Sequence, residues 1–439
     1  MTETCHPLPN KVELPDGWAI CYNAHEFFCN QRKKFMRITH LSLTNFRNYG
    51  RLELTLPAGA TLLHGNNAQG KTNLLEAIYY LATTRSPHIN QDQQLIHWDA
   101  LQTNDPVIVG RLVARVATRQ GERQLEMRLI SEQKGQQYSF RREALVNRRK
   151  VRLMDLLGQV RAVLFLPQDV HLITGSPSQR RRYLNITLCQ IDPIYCRQLS
   201  TYNKILEQRN ALLRQLAEGR GSHDVLSIFT ERLITSGSEL FARRGLFFSN
   251  IARETQHIHY EQLTNRRESV RLRYLPNLHD SPPNSSETLQ LADWLEDHLQ
   301  QPAKIKERFW QAMQESKVKD LARGSTSIGP HRDDWAFWVN GRDLSIFGSR
   351  GQQRSAVLAL KLAEISWMTS QTGEAPILLL DEVVAELDEQ RRALLLNYVQ
   401  SAEQAVLTAT DKAMFSDPFL QQATTLYVEN GRISANPTA

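Results

Sequence analysis

An α/β fold is expected for this chain, built from N- and C-terminal parts with an inserted, mainly helical lobe between them. Three patterns predict it. Short apolar runs with strand-like period occupy both ends of the sequence. Apolar steps of three and four residues occupy the middle. A glycine-rich loop lies between a strand and a helix in the first part. The divisions that follow are an N-terminal extension over 1–35, the first part of the head over 36–176, the lobe over 177–322 and the second part of the head over 323–439.

The elements follow in order. Ile38, Leu41 and Leu43, then Leu52, Leu54 and Leu56 alternating with Glu53 and Thr55, read as strands, and 61–64 is a short strand feeding a glycine. A helix is expected over 73–81. Residues 107–130 read as a hairpin turning at Gln120-Gly121, and 162–166 as a buried strand ending at Pro167. Leu199, Tyr202, Leu206, Leu213 and Leu216 mark an amphipathic helix. Residues 219–223 break it, and 225–262 form a second long helical region. A strand over 271–275, a loop over 280–287 and helical pattern over 289–321, interrupted at Pro302, complete the lobe. Strands are then expected at 336–339 and 344–347 around an Asn340-Gly341 turn. After them come a helix over 352–369, a strand over 376–380, a helix over 389–401 and a strand over 405–409.

Composition narrows the class. The 439 residues are 41% apolar and 23% charged, ordinary for a globular protein, with 53 basic against 46 acidic side chains and a net charge of +7. The excess is mild and points to a polyanionic partner. No apolar run approaches the roughly 20 residues of a membrane span, so a cytoplasmic location without a membrane partner is expected. Five cysteines, an odd and sparse count, fit a reducing compartment. Three of them, Cys5, Cys21 and Cys29, lie in the first 35 residues with His6 and His25, at spacings that match no standard zinc pattern. The strong pattern begins at Met36, so residues 1–35 are expected to be a poorly ordered extension or upstream codons. Mass spectrometry of the native N-terminus separates the two.

Chemistry is concentrated in three motifs. Gly65-Asn66-Asn67-Ala68-Gln69-Gly70-Lys71-Thr72 fits G-x-x-x-x-G-K-[ST]. Glycines let successive N–H groups face phosphate oxygens, and the following helix offers its N-terminus. Lys71 can reach the β/γ phosphates of ATP and the Thr72 hydroxyl can bind Mg²⁺. Ile377-Leu378-Leu379-Leu380-Asp381-Glu382 is an apolar strand ending in two carboxylates. Asp381 is the expected Mg²⁺ holder and Glu382 the expected proton acceptor for attacking water. With most of the chain between these motifs, compact kinases and small GTPases are excluded. Between them in order, Ser349-Arg350-Gly351-Gln352-Gln353-Arg354 opens a helix that can bind an anion and resembles the signature motif of ABC-type ATPases. That resemblance implies that Ser349, Gly351 and Gln352 meet the γ-phosphate held by another subunit. It also places Ala385-Glu386-Leu387-Asp388 as a dimer-contact loop. Thr408-Ala409-Thr410 stands where many relatives carry a switch histidine.

Longer stretches carry a more specific likeness. Leu43-Thr44-Asn45-Phe46-Arg47-Asn48-Tyr49, Leu74 to Tyr79, Pro167 to Leu184, Gly329-Pro330-His331-Arg332-Asp333-Asp334 and Leu380 to Asp388 resemble the RecF family of bacterial DNA replication and recombination-repair ATPases, over about 36–432. Three positions depart from its usual pattern. Gln168 replaces an acid and resembles the metal-contacting glutamine of wider ABC ATPases, Asn185 replaces Asp, and Glu382 replaces a second Asp. The resemblance implies a P-loop ABC-type ATPase head like those of SMC proteins, and an ATP-dependent homodimer that closes on duplex DNA near single-strand gaps. Slow hydrolysis opens the dimer, and the protein acts with RecO and RecR to load RecA. Lys71, Thr72, Asp381 and Gln168 then hold MgATP in cis, and Ser349 and Asp388 contact the second copy.

The basic run Arg141, Arg142, Arg148, Arg149, Lys150 and Arg152 is the candidate DNA contact, acting on phosphates without sequence preference. Its alternative is a solvated hairpin. Arg180–Arg182 could instead form ion pairs within the lobe, and Gly329–Asp334 could be a turn before a strand. Cys189 and Cys196 flank Pro193 and are expected to be core thiols. Aromatic residues are scattered, so no single-strand stacking platform is visible. The rival readings are a transporter-type or other ABC ATPase subunit, an overcoming-lysogenization-type nuclease and a non-enzymatic clamp. The first would not need the family-specific stretches, the second needs a carboxylate-rich nuclease domain that nothing after Asp388 supplies, and the intact carboxylates argue against the third.

Overall fold

The computed structural model describes residues 12–13, 19–20 and 36–435 except 104, 136, 283 and 284. Apart from two short strands, Val12–Glu13 and Ala19–Ile20, the expectations for the N-terminal extension, its zinc pattern included, lie outside the described residues.

Strands β1 (Arg37–Phe46) and β2 (Tyr49–Thr55) form a hairpin, and β3 (Gly59–His64) leads through the glycine-rich loop into helix α1 (Lys71–Thr83). Four antiparallel strands follow, β4 (Val107–Thr118), β5 (Gly121–Lys134), β6 (Gln137–Val146) and β7 (Arg149–Val151), then β8 (Ala162–Phe165). The helical region holds α2 (Pro177–Ile191), α3 (Pro193–Ala217), α4 (His223–His257), β9 (Val270–Leu275), α5 (Ser286–Asp297), α6 (Pro302–Glu315) and α7 (Lys317–Arg323). The chain returns through β10 (Asp334–Val339) and β11 (Arg342–Asp343) to α8 (Arg350–Thr372), β12 (Ile377–Asp381), α9 (Glu389–Ser401), β13 (Gln404–Ala409), β14 (Thr424–Glu429) and β15 (Arg432–Ser434).

The central sheet has the order β8-β12-β13-β3-β14-β15, parallel except for its last strand. Strands from both ends of the chain therefore share one sheet. Their side chains alternate between its faces. Leu63, Leu164, Leu379 and Val406 enter one apolar cluster, and Leu62, Phe165, Leu380 and Leu407 enter the other. Helix α1 fills the first cluster between this sheet and a six-stranded antiparallel sheet ordered β2-β1-β4-β5-β6-β7. Ten of its thirteen residues are buried, more than the single stripe of a surface helix, because sheets cover it from two sides. The lobe helices and α8 fill the second cluster. A third sheet, β9-β10-β11, pairs a lobe strand with strands beyond residue 322, so the expected division there runs through one sheet.

Two local expectations change. Residues 344–347 form a short helix, not a strand, because Asp343 caps it by accepting from the Ser345 N–H at 2.8 Å. The basic run is spread over a strand pair that the sequence pattern had not separated from its neighbours, with Arg141 and Arg142 on β6, Arg148 in the turn, Arg149 and Lys150 on β7 and Arg152 just past it. Pro193 does end one helix and start another, and Cys189 and Cys196 lie on either side of that break, half-buried with their thiols in contact.

A buried polar hub locks the lobe. Arg244 donates to the Asp333 carboxylate at 2.6 Å, to Asn185 Oδ1 at 2.9 Å and to the Tyr195 hydroxyl at 3.0 Å. Asp333 also accepts from Tyr274 and from the Asn277 N–H. Asn185 thus accepts from Arg244 and Tyr195 as a neutral amide. Arg180 pairs with Asp334 at 2.6 Å, Arg181 donates to the Asp333 carbonyl, and Arg182 donates to the Ser86 carbonyl, so this arginine run is committed to internal partners. The 329–334 stretch is therefore the centre of a hydrogen-bond network that burial makes costly to leave incomplete.

His331 belongs to the same stretch. Its Nε2–H donates to the Thr326 carbonyl at 3.1 Å, which leaves Nδ1 to accept from the Tyr202 hydroxyl at 2.7 Å. Burial pushes the imidazole down to about 4. A base whose folded pKa is depressed contributes stability above its unfolded pKa, near 6.5, and that contribution is lost as pH falls toward 4. The difference in unfolding free energy between the native chain and His331→Gln should shrink by about 3 kcal/mol across that window, read from urea melts at each pH.

Candidate nucleotide and nucleic-acid sites

The glycine-rich loop turns between β3 and α1 through positive φ angles at Gly65 (143°), Ala68 (64°) and Gly70 (114°). A Cβ at Gly65 would lie 2.4 Å from the Val428 carbonyl oxygen, and one at Gly70 would lie 2.5 Å from the Asn48 side chain. Neighbouring turns hold the loop. Asn48 donates to the Gln69 carbonyl at 2.9 Å, the Tyr49 hydroxyl to the Gly70 carbonyl at 2.9 Å, and Gly431 N–H to the Gln69 carbonyl at 3.1 Å. Asn66, Asn67 and Gln69 fill the variable positions of the loop. Lys71 folds back onto it, donating to the carbonyls of Gly65 at 2.7 Å and Asn66 at 2.9 Å.

Asp381 ends β12, one strand removed from β3, on the same carboxyl edge of the sheet. Its Oδ1 accepts from the Thr72 hydroxyl at 2.9 Å and from the Thr408 hydroxyl at 2.8 Å. Thr408 in turn accepts from the Glu382 N–H at 2.9 Å. Glu382 adopts a left-handed conformation, φ 52°, and its carboxylate lies 3.4 Å from Lys71 Nζ. Hard oxygens on Thr72 and Asp381, side by side at a phosphate-loop mouth, are the donor set that Mg²⁺ takes. Gln168 lies in a tight turn three residues beyond Phe165, which pairs with Leu380, so it is on this edge too. It is exposed and makes no hydrogen bond to Asp381 or Thr72. Thr408 escaped the sequence reading, which took its segment only as the place of a missing histidine. The signal was its β13 position directly across from Asp381.

The signature segment sits apart from the loop. Ser349 starts α8 as a capping box, accepting from the Gln352 N–H at 3.2 Å while Gln352 Oε1 accepts from the Ser349 N–H at 2.9 Å. Among the described residues, no hydrogen bond joins 349–352 to 65–72 of the same chain. Gly351 leaves its backbone open, since a Cβ there would meet nothing closer than 3.9 Å. Gln352 donates its amide to Glu268 at 2.8 Å, and Gln390 of α9 donates to the Gln262 carbonyl at 3.3 Å. One segment of the lobe thus tethers both the signature and the helix after Asp388. Asp388 caps α9 through the Arg391 N–H at 3.0 Å and stays half exposed.

The basic run divides. Arg142 turns inward, pairing with Asp92 at 2.6 Å and donating to the Thr84 carbonyl at 3.1 Å, which takes it away from a surface role. Arg141 and Lys150 share Glu143, and Arg152 pairs with Asp155 at 2.8 Å. Arg148 and Arg149 are exposed at the tip between β6 and β7. The same outer sheet face carries Arg51, Arg111 and Arg128 in one cross-strand row with Thr44. Arg111 and Arg128 both clasp Glu126. Burial pushes that carboxyl up, but the two arginine hydrogen bonds outweigh it and hold its pKa below the usual range.

Comparisons with known proteins agree with this architecture. A family profile described as the RecF/RecN/SMC N terminal domain matches residues 37–434. A Chloroflexus aurantiacus protein named DNA replication and repair protein RecF is 40% identical over 408 residues, spanning 91% of this chain and all of the relative. A Bacillus mycoides protein of the same name is 36% identical over 400 residues, spanning 91% of this chain and 98% of the relative. A solved structure described as the recombination mediator protein RecF with ATP, in the RecFOR pathway, superposes with a TM-score of 0.77. It is 28% identical and covers 93% of this chain and 99% of its own. Among the described residues no helix is long and apolar enough to cross a membrane.

Replacing Thr408 by Val removes the hydroxyl that joins Asp381 to the Glu382 N–H and leaves that donor without a partner. Stability should fall by about 1–3 kcal/mol in chemical unfolding, with no change in overall fold by circular dichroism.

Proposed function

Since the chain belongs to the RecF family of DNA replication and repair proteins, we propose that it is an ATP-driven DNA clamp. In this reading it binds and slowly hydrolyses ATP, closes as a homodimer on duplex DNA near single-strand gaps, and acts with RecO and RecR to help load RecA. The observation that carries it is the linkage of Thr72, Asp381, Thr408 and Glu382 at the mouth of the phosphate loop.

The residues take these roles. N–H groups of 66–72 bind the phosphates, and Lys71 exchanges its carbonyl partners for phosphate oxygens. Thr72 and Asp381 hold Mg²⁺, which supplies charge neutralisation at the phosphates, and Gln168 completes that edge. Glu382, released from Lys71 when the lysine turns to phosphate, accepts the proton of the attacking water. Ser349, Gly351 and Gln352 make no hydrogen bond to their own loop. They serve the partner's site, with Asp388 at the contact. A single chain then hydrolyses ATP poorly.

The DNA contact uses the exposed part of the basic run, Arg141, Arg148, Arg149, Lys150 and Arg152. Arg142 is left out because Asp92 holds it. Phosphate contacts of this kind bind duplex without reading its sequence.

Lys71→Ala should abolish nucleotide binding in a fluorescent-nucleotide titration, whereas Ser349→Arg should retain it and remain monomeric in analytical ultracentrifugation. An ATP-dependent Ser349→Arg dimer would overturn the trans role. Glu382→Gln should bind ATP normally and lower turnover by about a hundredfold or more. Arg148→Ala with Arg149→Ala should weaken duplex binding uniformly across sequences and reduce the slope of log affinity against log salt by about 2. An unchanged slope removes these two arginines from the interface.

A further inference from the structure

Eight large apolar side chains are strongly exposed among the described residues, and two are adjacent, Ile346 at 69% and Phe347 at 68%. They occupy the short helix Leu344–Phe347, directly before Gly348 and the signature Ser349. This pair is not a loose loop tip. Asp343 accepts from the Ser345 N–H at 2.8 Å and its hydroxyl at 2.6 Å. Leu344 is buried, and its carbonyl accepts from the Gln353 amide at 3.1 Å and from the Gly348 N–H at 3.2 Å. Gly348 admits no side chain, since a Cβ there would lie 2.4 Å from the Leu344 carbonyl oxygen. Gln353 belongs to the first turns of α8. The apolar pair is therefore mounted rigidly on the helix that presents the signature.

We infer that Ile346 and Phe347 are the apolar anchor of the contact between two copies of this chain, packing onto the second copy beside the nucleotide site that the signature completes. The inference rests on the proposed ATP-dependent dimer and deepens it. Continuity decides the occupant. The pair stands two and three residues before Ser349, so a partner seated on Ser349 and Gly351 lies next to it. Rigid mounting lowers the ordering cost of docking, so the burial of both side chains appears as affinity. Hydrophobic anchors at the centre of an interface, flanked by polar residues, fit this placement. Here the flanks are Asp343, Ser345, Ser349 and Arg350. The contact also explains how the dimer distinguishes closed from merely adjacent heads. The polar signature alone offers few atoms, whereas the apolar pair rewards only the geometry that seats the signature on the loop.

The test is sedimentation of the full chain with ATP and Mg²⁺, comparing the native sequence with an Ile346→Ser, Phe347→Ser double variant. A fluorescent-nucleotide titration of each runs alongside. Both positions are exposed, so the variant should fold and bind nucleotide as the native chain does, while its dimer weakens by about a hundredfold. Phe347→Leu alone should restore most of the dimer affinity lost in Phe347→Ser. If the native chain dimerises with ATP and the double variant does so equally well, the apolar anchor is wrong and the dimer reading stands. If the native chain stays monomeric with bound ATP, the dimer reading fails and the anchor fails with it.

Discussion

One hydrogen bond constrains the whole molecule, that from the Thr72 hydroxyl to Asp381 across 309 residues of sequence. For it to form, the strand that feeds the phosphate loop and the strand that ends in carboxylates must lie in one sheet, in parallel and one strand apart. Parallel neighbours need crossovers, and crossovers bring helices onto both faces. That requirement accounts for the two apolar clusters on either side of β3, β12 and β13, and for the near-complete burial of α1. It also fixes where the intervening chain can go. The lobe has to leave after β8 and return before β12, and these two strands pair along Ala162–Phe165 and Ile377–Leu380. Because the pair is parallel, the chain leaves at the carboxyl edge of the sheet and re-enters at the opposite edge, beside Ala162, so the returning chain has to cross the sheet, and α8 makes that crossing.

The lobe is tied back to the site at several points, and they converge on α8. Its N-terminus presents Ser349, and Gln352 is hydrogen-bonded to Glu268 at the end of the lobe's long helical stretch. Its middle carries Lys361 and Glu364, which face Asp169 in the turn of Gln168 and the hydroxyls of Tyr183 and Thr187 on α2. Just past its C-terminus, Glu374 pairs with Arg161 at 2.7 Å, next to β8. A helix is stiff over this length. The signature, the glutamine turn and the base of the lobe are therefore joined through one helix.

What the sequence revealed and what it hid follow from the range of the interactions. The phosphate loop, the acidic strand end and the signature were legible because each is a local backbone device, written in consecutive glycines, caps and apolar runs. The split head with its helical insert was legible because periodicity changes where the lobe begins. Three features were not, for one reason. Thr408 is ordinary in its own segment and acquires a role only through Asp381 across the sheet. Arg142 looked like its basic neighbours, yet period two sends it to the opposite face from Arg141, toward Asp92 fifty residues away. The helix at 344–347 has the composition of a strand, and the single cap at Asp343 overrides it.

The exposed surface follows from the same division of labour. The antiparallel sheet has one face on α1 and the other free, so its outer rows carry charge. Had all those charges been free, the face would repel itself. Instead Glu126 and Glu143 each hold two basic partners. An arginine already in such a pair gives up a carboxylate when it takes a phosphate, so pairing lowers what it adds to an anion contact without removing it. Arg148 and Arg149 at the β6–β7 tip are exposed and are drawn into no such pair with the sheet carboxylates. An anion on this face is therefore met most readily at the tip, while the carboxylates of the rows behind it balance their own arginines and lysine.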